Sequence, residues 1–369
     1  MIYFVITSLS LFTAVWSVDK HSNKTYLTFC IVTATCILTL FAGFRQIGLD
    51  FDSYLDHFKV VPSIFQYTWT DKSMEIGYEI SVSLCKTIYN SFHFFLVTFS
   101  FVTILLAFTL FKRYSPYVLL SFFMFFAYAF YLQVMGQMRQ PFAIIVTLLG
   151  LIPLLQKKRV ILAFLWITIV GFFFHKSMLL LAIPIFMANW DFNKKTIFCF
   201  STIALAFYIA SPMLSEIIIQ LIPQNFYLSE ALTAYLSYKS MAVSFSMGMI
   251  ERAGMSFLLF YYAFKYNIYH QEQILRLCIN LYFIGTCMYF ALITMSADFA
   301  SRGTIALVYP LFIALPFLLK HVNLKDKYII LTIICAWGIY LSLNILNDAS
   351  EYIPVSYTHL RAHETSQDL

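Results

Sequence analysis

The sequence predicts an all-α, polytopic integral membrane protein with about 12 transmembrane helices. Its 369 residues are 61% hydrophobic and only 11% charged, and the mean hydropathy is +0.78. A soluble domain carries about 25% charged residues, so this composition excludes a single water-soluble globule. Apolar stretches of roughly 18 to 20 residues recur along the chain, and each could cross a bilayer as a helix. The sequence lacks the alternating pattern of membrane strands, which argues against a barrel.

Twelve apolar runs account for the predicted spans. The N-terminal run is predicted to be a span rather than a signal peptide, because it lacks a basic leading region and a small-residue cleavage site. The predicted spans are Ile2–Val18, Tyr26–Phe44, Phe94–Phe111, Pro116–Met135, Phe142–Leu155, Val160–Phe174, Ser177–Trp190, Thr196–Met213, Ala253–Tyr266, Leu275–Met295, Gly303–Leu319 and Tyr328–Leu346. They form one predicted membrane domain over residues 1–353.

Three segments do not fit the apolar pattern. Arg45–His93 is rich in carboxylates, and Leu214–Arg252 mixes apolar and polar residues in the manner of interfacial helices. Both are predicted to be long loops on the outward side of the membrane. Residues 354–369 are abruptly polar and resemble a translated sequencing adapter. They are predicted to be a non-native tail, so the sequence does not define the natural C-terminus.

Basic residues are distributed unequally between the two faces of the predicted topology. Thirteen lie in loops on the side of Asp19–Lys24: Lys20, Lys24, Lys112, Arg113, Lys157, Lys158, Arg159, Lys194, Lys195, Lys265, Lys320, Lys325 and Lys327. Nine lie on the other side: Arg45, Lys59, Lys72, Lys86, Arg139, Lys176, Lys239, Arg252 and Arg302. The positive-inside rule places the first side in the cytoplasm. The net charge of +6 therefore indicates membrane topology and not nucleic-acid binding.

The strongest candidate site lies between two apolar runs, at Gln137 to Pro141. A cation at a membrane edge is costly unless an anion or water receives it, so Arg139 is a candidate functional residue. Its planar guanidinium suits a lipid pyrophosphate, and Gln137 and Gln140 add amide groups. The alternative is an arginine that snorkels to lipid headgroups.

Two further motifs combine charge, glycine and tyrosine in the first long segment. In the first, Arg45 and Asp50 flank Gly48 and precede Tyr54; in the second, Glu75 stands beside another glycine. The functional interpretation is a carboxylate that orients Arg45 and others that contact sugar hydroxyls. The alternatives are a solvated loop with local ion pairs, and an acidic helix start.

His175 follows a run of phenylalanines and could act as a general base, although a structural role is the competing interpretation. Two more arginines on the predicted outward side are candidates: Arg252, beside Glu251, and Arg302, near Asp298 in a predicted turn. For each, the alternative is a simple ion pair with that carboxylate.

The seven cysteines show no metal-ligand spacing and are predicted to be small buried hydrophobes. No metal and no cofactor are predicted, because nucleotide loops and His/Cys clusters are absent from the sequence.

The order of these motifs resembles the EpsG/Wzy-type polysaccharide polymerases. The resemblance is carried by Phe44-Arg45, Gly48-x-Asp50, Tyr54, Glu75-x-Gly77-Tyr78, Gln137-x-Arg139-Gln140-x-x-Ala143 and His175-x-Ser177. It implies a multi-pass enzyme of the bacterial inner membrane that joins undecaprenyl-pyrophosphate-linked repeat units into exopolysaccharide, O-antigen or capsule. The resemblance further implies membrane lipids as surroundings, with a chain-length regulator and a flippase as candidate protein partners.

The predicted mechanism is a single, inverting, metal-independent glycosyl transfer. Arg139 and Arg45, with Arg302, hold the lipid pyrophosphate, and His175 or Asp50 takes the proton of the acceptor hydroxyl. Tyr54, Glu75, Gln137, Gln140 and Arg252 are predicted to bind substrate. The rival functions are a lipid-linked oligosaccharide flippase or other transporter, an O-antigen ligase and a membrane acyltransferase. The sugars, linkage, chain length and oligomeric state do not follow from the sequence.

Overall fold

A computed structural model of the chain describes residues 2–19, 24–46, 48–68, 74–221 and 245–348. Within these ranges the secondary structure is helical, without strands, which confirms the all-α class. The predicted tail over residues 354–369 and most of the second long segment lie outside the described residues.

The α-helices follow one another with short connections. They are α1 Ile2–Asp19, α2 Lys24–Gly43, α3 Phe51–Val60, α4 Ile76–Ile88, α5 Phe92–Tyr114, α6 Val118–Phe125, α7 Arg139–Gln156, α8 Val160–Phe173, α9 Ala182–Met187, α10 Lys194–Leu221, α11 Met247–Lys265, α12 Ile268–Gln271, α13 Gln273–Ile293, α14 Ala297–Thr304, α15 Leu311–His321 and α16 Leu324–Asp348. Short 3₁₀ turns occupy Ile64–Gln66, Lys176–Leu181 and Ile305–Leu307, and a π-helical segment, Phe126–Val134, continues α6.

Five of these helices are long and apolar enough to cross a membrane: α2, α5, α7, α13 and α16. A sixth candidate span is the pair formed by Ala297–Leu307 and Leu311–His321, which is bent by 48°. The uninterrupted span predicted over Gly303–Leu319 is therefore broken, at a turn that contains Pro310. Proline has no backbone N–H to continue the ladder of helical hydrogen bonds. These helices make the chain a multi-pass membrane protein, while the count of about 12 spans stays a prediction.

The described residues fall into two compact units. Unit 1 comprises the described residues within 1–109, 122–142 and 331–369, and unit 2 comprises those within 110–121 and 143–330.

Unit 1 contains an aromatic core built largely from the predicted outward loop Arg45–His93. This segment forms α3 and α4, because each carries buried side chains at helical spacing. The buried residues include Tyr54 and Phe58 on α3, Tyr78 on α4 and Phe95 on α5. The prediction of a loop is thus replaced by two packed amphipathic helices, and its outward orientation stays a prediction.

Unit 2 is organised around α13, which packs against α10, α11, α14 and α15. Asn280 lies in the middle of this helix and is fully buried. Its amide donates to the carbonyls of Ala188 at 2.9 Å and Trp190 at 2.8 Å, and it accepts from the Tyr269 hydroxyl at 2.7 Å. The buried amide therefore fixes the turn after α9 to the centre of the unit.

Candidate functional site

An arginine–carboxylate pair lies at the centre of the candidate site in unit 1. Arg139, the first residue of α7, forms an ion pair with Glu75, which immediately precedes α4. The side chains are only 17% and 7% exposed, respectively. The Arg139 guanidinium also lies 5.7 Å from the ring centroid of Tyr54 and 5.5 Å from that of Tyr78. Two predicted site motifs, 64 residues apart, thus meet in one contact.

The backbone before Arg139 is shaped by an uncommon helical turn. The π-helical segment ends with a hydrogen bond from the Met135 N–H to the Phe130 carbonyl at 3.0 Å. π-Helical turns are rare and occur often at functional sites. A further bond from the Gln137 N–H to the Gln133 carbonyl, at 2.8 Å, closes the turn that leads into α7. The wide turn thereby presents Gln137 and Arg139 at the start of the next helix.

Gly48 brings the Arg45–Asp50 motif against this turn. It has a φ of +155°, and a Cβ there would lie 2.7 Å from the Met135 carbonyl oxygen. A residue with a side chain would therefore be both strained and in collision. Two residues later, the Asp50 N–H donates to the Gly136 carbonyl at 3.4 Å. The close approach allowed by glycine places Asp50 beside the Gln137–Arg139 turn.

Arg45 is buried at the end of α2. Its Nη1 donates to the Ala42 carbonyl at 2.7 Å, and its Nη2 lies 3.7 Å from Sδ of Met138. A cation is favourable at a helix C-terminus, where carbonyl oxygens lack helical partners. Met138 is the neighbour of Arg139 in sequence, so Arg45 contacts the residue that directly precedes Arg139.

The other predicted residues of unit 1 belong to the same neighbourhood. Tyr54 is buried next to Arg139, and burial raises the pKa of its hydroxyl, an effect that the positive charge of Arg139 opposes. Gln140 is buried and Gln137 is partly buried; the Gln140 N–H donates to the Gln137 carbonyl at 3.0 Å. The alternative of a solvated outer loop with local ion pairs fits the exposed Asp56–Lys59 pair, at 2.8 Å, but not Arg45 and Tyr54, which are buried.

The structure also shows three residues that were not predicted as site residues: His57, Glu79 and Tyr67. Nε2 of His57 lies 3.6 Å from Oε1 of Glu79, and the Tyr67 hydroxyl donates to Oε2 of Glu79 at 2.7 Å. The imidazole ring lies beside Tyr78, with 5.8 Å between ring centroids. His57 follows Tyr54 by three residues and Glu79 follows Glu75 by four. That helical spacing could have indicated shared faces with the predicted residues.

The predicted residues of unit 2 lie on elements that meet at α14. Arg252 is buried; its Nη1 donates to the Thr304 hydroxyl at 2.9 Å, and its guanidinium lies 4.0 Å from the ring centroid of Tyr289. The prediction of a turn around Arg302 is wrong, because Arg302 lies on α14. The 3₁₀ turn that follows His175 packs against α14, where a Cβ on Gly303 would lie 2.8 Å from Leu180.

His175 caps the 3₁₀ turn that it precedes. Its Nδ1 accepts from the Ser177 N–H at 3.3 Å and lies 2.7 Å from the Ser177 hydroxyl. A backbone N–H can only donate, so Nδ1 carries a lone pair and the neutral ring holds its proton on Nε2. In this arrangement Nε2 of His175 is a donor. The geometry suits a hydrogen bond to a substrate oxygen better than proton abstraction.

The fold and these contacts define a multi-pass, all-helical membrane protein with buried arginines held by carboxylate, hydroxyl, carbonyl and aromatic groups. The sequence profile of the EpsG family matches residues 27–358, nearly the whole chain. The protein therefore belongs to the EpsG family, a family of Wzy-type polymerases, and the resemblance drawn from the motifs is confirmed. No curated protein and no solved structure matches the chain.

Proposed function

We propose that this protein joins undecaprenyl-pyrophosphate-linked oligosaccharide repeat units into a polysaccharide at the outer face of the bacterial inner membrane. Membership of the EpsG family supports a membrane protein of the polysaccharide polymerase type. The observation that carries the finer proposal is the Arg139–Glu75 pair, buried beside two tyrosines at the start of a candidate span. Such an arginine meets the need for an interfacial cation that receives a lipid pyrophosphate.

In the proposed reaction an acceptor sugar hydroxyl attacks the anomeric carbon of the growing, lipid-linked glycan. A new C–O bond forms as the bond to pyrophosphate breaks, and the lipid pyrophosphate leaves with the electron pair. Attack opposite the leaving group inverts the anomeric centre. The hydroxyl proton passes to a general base.

Arg139 and Arg45 supply the positive charge that the leaving group requires. Fixed charges of this kind act without reorganisation in the transition state, which makes them a large catalytic contribution. Glu75 holds the Arg139 guanidinium in place before substrate arrives. Tyr54, Gln137 and Gln140 contribute hydroxyl and amide groups from the same unit.

A deletion strain complemented with variants tests this proposal. We expect the deletion to accumulate single lipid-linked repeat units that are accessible from outside the cell, and Arg139→Ala to give the same result at normal protein level. Asp56→Asn is the matched control, because its ion pair with Lys59 is exposed, and it should restore long polymer. Units trapped on the cytoplasmic side would instead indicate a flippase. Normal polymer in the deletion strain would contradict the proposal.

A further inference from the structure

His57 and Glu79 form a buried imidazole–carboxylate pair within the proposed site of unit 1. The two side chains are 7% and 3% exposed. Two other histidine–carboxylate pairs stand among the described residues, and both are much more open: His270–Asp191 at 50% and 62%, and His321–Glu272 at 23% and 38%. Local ion pairing at the surface explains those two pairs. It does not explain a pair removed from water.

The pair lies one aromatic ring away from the arginine. The Tyr78 ring lies 5.8 Å from the His57 ring, between centroids, and its centroid lies 5.5 Å from the Arg139 guanidinium. Glu75 immediately precedes α4 and Glu79 lies in its first turn, so the start of one helix holds both Arg139 and His57. Proton transfer and leaving-group stabilisation would then be anchored on the same element.

Glu79 is itself held in place. The Tyr67 hydroxyl donates to it at 2.7 Å, and the segment before Tyr67 is fixed to α4, where Thr87 accepts from the Ile64 N–H at 2.9 Å. Burial, and then the adjacent Glu79, raise the pKa of Tyr67, so its hydroxyl keeps its proton and remains a donor. His57 would thus be oriented by Glu79, and Glu79 in turn by Tyr67, which is the kind of arrangement that positions a catalytic base.

The surroundings favour the charge that His57 would gain. His57 lies in the last turn of α3, where carbonyl oxygens favour a cation. The titratable and charged groups around the pair are Glu79, Tyr78 and Lys86 on α4, Tyr67 on the connecting segment, Tyr54 on α3 itself and Arg139 at the start of α7. Glu79 stands closest to the imidazole, so the added proton meets a negative partner.

We infer that His57 is the general base of the glycosyl transfer, with Glu79 and Tyr67 as positioning residues. The inference rests on the proposed function and deepens it. With its Nε2–H directed at Glu79, the neutral imidazole uses its Nδ1 lone pair to take the proton of the acceptor hydroxyl. The hydroxyl oxygen bonds to the anomeric carbon, and the lipid pyrophosphate leaves with the electron pair. Nε2 of His57 and Oε1 of Glu79, 3.6 Å apart, stand within ion-pair distance of each other.

The experiment uses purified full-length protein in vesicles supplied with lipid-linked repeat units. We expect His57→Ala to lower the turnover rate by about 10² to 10⁴-fold, as loss of a general base does. Added imidazole should restore part of the His57→Ala rate and none of the Arg139→Ala rate. His270→Ala is the matched control and should leave turnover unchanged.

Glu79→Gln separates a positioning role from a structural one. Without the carboxylate the imidazolium is less stable, so the acidic limb of the pH–rate profile should move to lower pH. Two results would overturn the inference: His57→Ala with at least a tenth of the wild-type rate, or an inactive His57→Ala together with an unmoved acidic limb in Glu79→Gln. If wild-type protein forms no polymer, the proposed function fails instead.

Discussion

At the scale of single residues, we expect one substitution in the Arg139–Glu75 pair to have a large effect on the free energy of unfolding. Both side chains are mostly removed from water, so each depends on the other for charge compensation. Breaking a buried ion pair costs about 3–5 kcal/mol, whereas replacing both partners by apolar groups is often nearly neutral. Arg139 is somewhat exposed, which favours the lower end of that range.

We predict that Glu75→Met lowers the free energy of unfolding by about 3 kcal/mol, whereas Glu75→Met combined with Arg139→Met recovers most of the loss. The paired variant should nevertheless form no polymer, because the guanidinium is missing. Heating the detergent-solubilised variants and measuring the remaining monodisperse protein checks the stability. An active paired variant would show that Arg139 has only a structural role.

Residue identities in the site were partly accessible from the sequence. Arg139 and Glu75 stood out because charge is rare in this chain, but nothing in their spacing of 64 residues indicated that they pair. His57 and Glu79 were not selected, since a polar residue on the buried stripe of an amphipathic helix looks like part of a solvated face until the helices pack. The side-chain hydrogen bonds of His175 are local, to Ser177 two residues later, but they depend on a 3₁₀ turn that hydropathy did not indicate.

At the scale of elements, the turn around Gly48 determines how α2 and α3 meet the segment before α7. Replacing Gly48 by alanine would place a methyl group 2.7 Å from the Met135 carbonyl oxygen, at a backbone conformation of positive φ. Strain of this kind costs on the order of 1–3 kcal/mol. A backbone shift that relieves the collision would disturb the nearby hydrogen bond from Asp50 to Gly136.

We predict that Gly48→Ala lowers both the thermal midpoint of the solubilised protein and its polymerase activity. Gly254→Ala is the control. Gly254 lies inside α11, and apart from the adjoining residues and backbone of its own helix no atom stands within 4 Å of a Cβ placed there, so alanine should leave the midpoint unchanged or raise it slightly. A Gly48→Ala protein with a wild-type midpoint and full activity would show that this turn does not determine the geometry of the site.

Hydropathy located the long helices well, because their length and apolar content are set by the membrane itself. The predicted run Phe94–Phe111 lies within α5, and Leu275–Met295 nearly coincides with α13. The π-helical segment and the 48° bend before α15 were missed. In both places the backbone hydrogen bonds change register, and hydropathy averaged along the sequence does not indicate such a change.

At the scale of the whole molecule, two compact units each hold part of the predicted site. Arg45, Asp50, Tyr54, Glu75 and Arg139 are grouped in unit 1, and His175, Arg252 and Arg302 lie on elements of unit 2 that pack together. Composition predicted the membrane class, and the length of the apolar runs predicted the all-helical fold. The outward orientation depends on the number of spans and stays a prediction.

The central claim is that this protein alone lengthens lipid-linked glycans and that Arg139 is required for it. The most direct measurement is the length distribution of glycans formed in vesicles that contain only the purified protein and lipid-linked single repeat units. The account predicts a ladder of longer lipid-linked products with wild-type protein and Asp56→Asn, and single units only with the folded Arg139→Met, Glu75→Met variant. Single units throughout, or a normal ladder from the paired variant, would contradict it.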